Sequence, residues 1–135
     1  MRKLTKKNTK QLEEVCRRIR QTLHIDHLER TYEVNGKVYG NSVATTTVSG
    51  YGWRLFITLR PSFWKAEFDQ QLRYLIHKHI HVALHAYHQA TDRVYDNWVP
   101  PHCRSQVDEV TRTGAEIAVD HLTEVFYQLI KPRFA

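Results

Sequence analysis

One short segment, Leu72–His88, contains five of the nine histidines of this chain. Within it, His77 and His81 are separated by three residues in the run His77-Lys78-His79-Ile80-His81. At roughly 100° per helical residue, the two rings lie about 40° apart, one turn from each other on the same face. Two imidazoles at this spacing on one rigid helix can bind a single metal ion, so the segment predicts a metal site.

The segment is predicted to be helical, because no proline or glycine interrupts the chain between Ser62 and Asp92 and apolar residues recur at three- and four-residue steps. We place a single helix at about residues 65–89. His79 falls inside the apolar stripe, on the side opposite His77 and His81, and is predicted to be a buried histidine with a hydrogen-bond partner in the core. The stripe consists of Phe68, Leu72, Leu75, Ile76, Val82, Ala83 and Ala86.

Lys78 stands where zinc peptidases with the pattern H-E-x-x-H carry a glutamate. That glutamate is the general base that takes a proton from metal-bound water. A lysine ammonium, with a pKa near ~10.4 in water, does not accept this proton at neutral pH. The segment therefore predicts the metal-binding half of a metalloprotease site without its base.

The rest of the chain predicts an α+β domain with the element order α–β–β–β(–β)–α–α. A first helix at about residues 8–24 begins with Asn8 and Gln11 in capping-box form. Strands at residues 30–34, 43–48 and 53–59, with a hairpin turn at Asn35-Gly36, predict a mainly antiparallel sheet of three or four strands. Residues 92–103 are predicted to form a loop, and a last helix at about 105–130 to bury a stripe of seven residues: Val107, Val110, Gly114, Ala118, His121, Val125 and Leu129.

Length and composition favour one compact domain over residues 1–135, with residues 1–7 as a frayed basic lead-in. The net charge of +6 is concentrated near the N-terminus, which is typical of a solvated basic helix face and also permits nucleic-acid binding. Cys16 and Cys103 do not form a disulfide framework, and Cys16 is predicted to be a buried thiol of the first helix. With no signal peptide and no membrane-spanning run, we expect a cytoplasmic protein of a bacterium or of a phage-infected host.

The motif helix and the strand before it resemble the minimal zincin metallopeptidases, namely the small SprT-like and phage-type zincins. The matching residues, which follow the strand Phe56-Ile57-Thr58-Leu59 and Pro61, are Leu72, Leu75, Ile76, His77, Lys78, His81, Val82, Leu84 and His85. The resemblance implies a small zincin-like fold in which His77 and His81 bind Zn²⁺ and a third ligand comes from downstream.

The third ligand is left open between two residues of the last helix. Asp108, on the flank of the predicted inner stripe, is the first choice, and Glu109, on the outward side by helical phase, is the second; Glu116 shares the outward direction of Glu109. Asp108 is explained equally well as a carboxylate that stabilises a helix N-terminus. If the site has drifted, four other residues are candidates: His85, Asp92, His102 and Cys103.

Three functions remain open at this stage. The first is a zincin-like metalloprotein that Lys78 makes a pseudo-peptidase or a very weak peptidase. The second is a phage or mobile-element protein that binds or inhibits a protein or peptide partner, in which the histidine face is a metal-free polar seam. The third is a nucleic-acid-binding domain that uses the basic first helix, although no known nucleic-acid-binding spacing supports it beyond charge.

Overall fold

The computed structural model describes residues 2–26, 29–33, 44–49 and 54–134. Its elements follow in the order α1 (Thr9–Thr22), β1 (Glu29–Glu33), β2 (Ala44–Ser49), β3 (Arg54–Leu59), α2 (Pro61–Lys65), α3 (Phe68–Ala83), α4 (His85–Trp98) and α5 (Arg104–Ile130). Two 3-10 turns, Pro101–Cys103 and Lys131–Phe134, precede and follow α5.

The first helix forms where the sequence predicts it. The side chain of Asn8 accepts a hydrogen bond from the backbone N–H of Gln11 at 3.1 Å, which is the contact of an N-cap asparagine with the third residue of its helix. One face of α1 is buried and includes Cys16, which confirms the prediction of a buried thiol.

The residues before α1 are attached to the core at Leu4, which is fully buried. The buried amide of Gln71 in α3 accepts from the N–H of Leu4 at 2.8 Å and donates to the Leu4 carbonyl at 3.0 Å. The same amide donates to the carbonyl of Phe63 in α2 at 3.1 Å. The lead-in that the sequence predicts to fray is therefore fixed at this position, because Gln71 satisfies its backbone groups inside the core.

The three strands lie within one residue of their predicted positions and form a mixed sheet with β3 in the centre. β1 runs parallel to β3, with Glu29 opposite Arg54, and β2 runs antiparallel to β3, with Ala44 opposite Leu59. A mainly antiparallel sheet is therefore not what forms. The predicted hairpin turn at Asn35-Gly36 lies outside the described residues.

The prediction of an α+β domain organised around a mainly antiparallel sheet is wrong, because the described chain is predominantly helical and its small sheet is mixed. The helices α3, α4 and α5 have 16, 14 and 27 residues, whereas the strands have 5, 6 and 6. Among the described side chains, Leu59 is the one member of the hydrophobic core that belongs to a strand; the others lie in helical elements or in the segments that flank α1. The sequence underestimates the helix content mainly because residues 92–98 were assigned to a loop.

The histidine-rich region forms two helices, so the single predicted helix at residues 65–89 and the loop at 92–103 are both wrong. α3 ends at Ala83. The dihedral angles of Leu84 (φ −92°, ψ 7°) interrupt the helix, and α4 then runs from His85 to Trp98. No proline or glycine marks this break, which is why helical periodicity alone does not detect it. Val99 is extended (φ −86°, ψ 120°), as expected for the residue before Pro100.

The last helix is rotated relative to its prediction. α5 buries Val119, Thr123, Tyr127 and Ile130, whereas the seven residues of the predicted inner stripe, from Val107 to Leu129, are all exposed. At roughly 100° per residue, Val110 and Val119 point to opposite sides of the helix. No helix in the described part of the chain, α5 included, is long and apolar enough to cross a membrane.

Candidate metal centre

A ladder of three side-chain pairs joins α3 to α5. Residue numbers rise by four along α3 while they fall by four along α5, so the two helices are antiparallel and contribute about one pair per turn. The pairs are Arg73 with Glu124 (Nε–Oε2 3.1 Å), His77 with Asp120 (Nδ1–Oδ1 3.2 Å) and His81 with Glu116 (Nε2–Oε1 3.1 Å).

The end of this ladder brings His77, His81 and Glu116 together as the one group of three potential metal ligands found among the described residues. The Nε2 atoms of the two histidines are 3.2 Å apart, and the Glu116 carboxylate lies 3.1 Å from Nε2 of His81 and 3.5 Å from Nε2 of His77. Two ligand atoms that each lie 2.0–2.1 Å from a tetrahedral zinc ion are about 3.3 Å from each other. The side chains therefore need little movement to hold a metal ion.

Both histidines are prepared to act as neutral ligands. Burial is the main reason why the pKa values of His77 and His81 are lowered, and the charge of Lys78 lowers both further, although the Glu116 carboxylate opposes these effects. Nδ1 of His77 lies 3.2 Å from Oδ1 of Asp120, and a proton held on Nδ1 by this carboxylate would leave the Nε2 lone pair for a metal ion. A carboxylate behind a histidine ligand fixes the tautomer and the orientation of the ring in many metal sites.

Lys78 lies beside the ligand group, where its charge affects both histidines. Burial lowers the pKa of this lysine, and the Glu116 carboxylate raises it. Position 78 is a lysine, so the glutamate that acts as the base in the H-E-x-x-H pattern is absent from this motif.

A cleft of about 250 Å³ opens beside the ligand group, and its walls include His81, His88, Asp92, Asp108 and Glu116. The ring of His88 lies 5.9 Å from that of His81, between centroids. The cleft gives a small molecule or water access to the side of the group that α3 and α5 leave uncovered. A site with three protein ligands and one accessible position is typical of catalytic rather than structural zinc.

The helix pair that carries the ligands is fixed by further contacts towards the other end of the ladder. The guanidinium of Arg73 stacks on the ring of Tyr127 at 3.7 Å from its centroid, and its hydrogen bonds to Glu124 are 3.1 and 3.3 Å. Lys131 lies 3.6 Å from the carboxylate of Asp69 at the start of α3. These contacts have the same register of α5 on α3 as the pairs that bring Glu116 to the histidines.

The structure brings Glu116 to the two histidines, whereas the sequence favoured Asp108 or Glu109 as the third ligand. Asp108 lines the cleft but pairs with Arg112 at 3.1 Å, and Glu109 is exposed on α5.

Of the four residues proposed in case the site had drifted, three are not brought into the group: Asp92, His102 and Cys103. Asp92 lines the cleft, His102 is exposed and Cys103 is half-buried. The side chain of His85 lies outside the described part of the structure.

No family model, curated protein or solved structure matches this chain. Its function is therefore inferred from the geometry of the site.

Proposed function

We propose that this protein binds a divalent metal ion, with zinc as the best fit, through His77, His81 and Glu116. The observation that carries the proposal is the spacing of the ligand atoms. Nε2 of His81 lies 3.2 Å from Nε2 of His77 and 3.1 Å from Oε1 of Glu116. Two ligand atoms of a tetrahedral zinc ion are about 3.3 Å apart. Hydrogen bonds among neutral groups have similar lengths, so a metal-free polar seam between α3 and α5 is the alternative that the experiment must exclude.

Zinc is favoured by the chemistry of the donors. Two imidazole nitrogens and one carboxylate oxygen form a borderline set that suits zinc better than the all-oxygen sets preferred by calcium and magnesium. The same two-histidine, one-glutamate set binds catalytic zinc in several hydrolases. Asp120 adds the carboxylate behind His77 that such sites commonly contain.

Lys78 makes the proposed metal centre a pseudo-peptidase site. Metal-bound water needs a base that accepts its proton, and the ammonium of a protonated lysine has no lone pair for this purpose. Loss of a general base typically costs about a hundred- to ten-thousand-fold in rate. The protein therefore retains the zincin-like ligand arrangement and lacks efficient peptide hydrolysis.

Metal content measured on untagged protein tests the ligand set. We expect about one zinc per chain in the parent, and loss of the metal in His77→Ala, His81→Ala and Glu116→Gln. Two matched controls should retain it: His121→Ala and Glu109→Gln, which change an exposed histidine and an exposed carboxylate of α5. A parent protein without bound metal after incubation with zinc and dialysis contradicts the proposal and favours the polar seam.

Restoring the missing base tests the role of Lys78. With zinc bound, Lys78→Glu should hydrolyse an unstructured protein such as casein at least about a hundred-fold faster than the parent. Lys78→Gln, which removes the charge without adding a base, should bind zinc and remain inactive. A Lys78→Glu protein that binds zinc and stays inactive would show that the missing base does not explain the lack of hydrolysis.

A further inference from the structure

The outward face of α5 is apolar, and the residues that the structure describes do not cover it. All eight large hydrophobic side chains that are exposed in the described part of the chain lie in α4 and α5. Val110 is 74% exposed and Trp98 is 81% exposed, so most of the surface of these two side chains is in contact with solvent. We call these residues the outer face: Val94 and Trp98 of α4, and Val107, Val110, Ile117, Leu122, Val125 and Leu129 of α5.

The size of the outer face matches the apolar part of a protein–protein contact. At about 100 Å² of apolar surface per fully exposed side chain of this kind, the eight residues expose on the order of 450 Å². The largest apolar patch of a typical monomeric protein is about 300–600 Å² and is often functional. A stable complex buries about 800 Å² per partner, of which roughly 60% is apolar, so the outer face supplies most of the apolar area of one such interface.

The pattern of side-chain sizes along α5 suits a second copy of the same helix. Val110, Gly114, Ala118 and Leu122 follow one another at four-residue steps, large residues at the ends and small ones in the middle. An antiparallel copy related by a two-fold axis near residue 116 places Val110 opposite Leu122 of the partner and Gly114 opposite the partner's Ala118. Rows of residues four apart are the ridges that pack together where two helices cross at about −50°.

The centre of this row has room for a partner helix. A side-chain carbon placed on Gly114 would meet no atom of the described chain within 4 Å. A groove of about 450 Å³ runs beside it, with Leu84 and His88 on one side and the Val110–Leu122 row on the other. Small residues at a crossing let two helix backbones approach closely, while the larger residues on either side fill the contact.

We propose that this protein forms a two-fold symmetric dimer in which the outer face packs against the same face of a second copy, with the Val110–Leu122 row of α5 at the two-fold axis. In a symmetric dimer the same patch must be complementary to itself, and the large–small–small–large row fulfils this requirement. Glu116 points to the opposite side of α5, towards α3, so the dimer leaves both metal centres accessible to solvent. The proposal does not depend on metal binding.

Gly114→Arg tests the dimer contact without disturbing the fold of the chain. A Cβ atom at this position meets no atom of the described chain within 4 Å, and the replacement of a helical glycine should not lower the melting temperature. It nevertheless places a bulky charge at the crossing point. We expect sedimentation equilibrium to give a dimer for the parent and at least about a hundred-fold weaker association for Gly114→Arg. Leu122→Asp is the second variant, with the same expectation.

Thr5→Arg is the matched control, because it adds the same charge at an exposed position far from α5 in sequence. It should dimerise like the parent. A parent that is monomeric at 100 µM, a concentration we choose for the assay, overturns the proposal and assigns the outer face to a different protein partner. A dimer that survives both Gly114→Arg and Leu122→Asp overturns it as well, because the copies would then meet through another surface.

Discussion

His79 should make the stability of this protein fall at mildly acidic pH. The residue is fully buried in α3, where Nδ1 donates to the carbonyl of Leu75 at 2.6 Å. Within the described structure, its buried Nε2 atom has no hydrogen-bond partner. Burial, together with the nearby charge of Arg20, lowers the pKa of His79 from 6.5 to about 4.

The direction of this pH effect follows from whether the folded or the unfolded protein binds the proton of His79 more tightly. In the unfolded chain the imidazole takes up a proton below about pH 6.5, whereas in the folded protein it does so only below about pH 4. Acid therefore favours unfolding across this window: the contribution of neutral His79 is complete above pH 6.5 and is lost as the pH falls towards 4. Linkage between these two pKa values gives a loss of about 2 kcal/mol between pH 7.5 and pH 5.0, and about 3 kcal/mol at the acid limit.

Urea unfolding of the parent and of His79→Leu measures the contribution of His79 to this pH dependence. The unfolding is followed at pH 7.5, 6.0 and 5.0 with a chelator present. Leucine does not titrate, so the free energy of unfolding of the variant relative to the parent should rise by about 2 kcal/mol from pH 7.5 to 5.0. His121→Leu, which changes an exposed histidine, should show a difference that is nearly independent of pH. If the difference for His79→Leu is equally flat, the buried ring is not what titrates and the reasoning is wrong.

Two further substitutions test the shell around the site and the attachment of the N-terminus. Asp120→Asn should leave one zinc per chain but weaken its affinity about 10- to 100-fold in a chelator competition, because the carboxylate orients His77; unchanged affinity would show that Asp120 has no such role. Gln71→Leu should cost about 3 kcal/mol in urea unfolding, because it leaves backbone groups of Leu4 and Phe63 unsatisfied in the core. The exposed substitution Gln128→Leu should cost less than about 1 kcal/mol, and an equal cost in both variants would contradict the role of the buried amide.

The sequence correctly predicted the features that depend on the geometry of a single helix. The four-residue spacing of His77 and His81 is sufficient to bring their rings together, because helix geometry alone sets that distance. The burial of His79 and the cap at Asn8 followed from the same kind of short-range pattern and are confirmed. None of these features depends on how one helix packs against another.

The position of Glu116 beside the histidines is not predicted by the sequence, because it depends on packing. If the most apolar side of α5 faced the core, Glu116 would point towards solvent. In the structure the less apolar side faces α3, where Arg73 and Tyr127 stabilise the contact. One signal was present: basic residues and histidines occur at 73, 77 and 81, and acidic residues at 116, 120 and 124, both at four-residue steps. An antiparallel helix pair matches these two series one to one.

This ladder also explains why Lys78 leaves the arrangement of the candidate ligands in place. His77 and His81 are held by their pairs on α5, and Arg73 pairs with Glu124 in the same register about two turns from His81. Lys78 lies between the histidines in sequence but outside the ladder, so its identity does not determine where Glu116 points. In the proposed site, a lysine at position 78 therefore offers no proton acceptor and adds a positive charge, which opposes metal binding, without changing the ligand geometry. The proposed zinc binding without efficient hydrolysis is the combination that this arrangement favours.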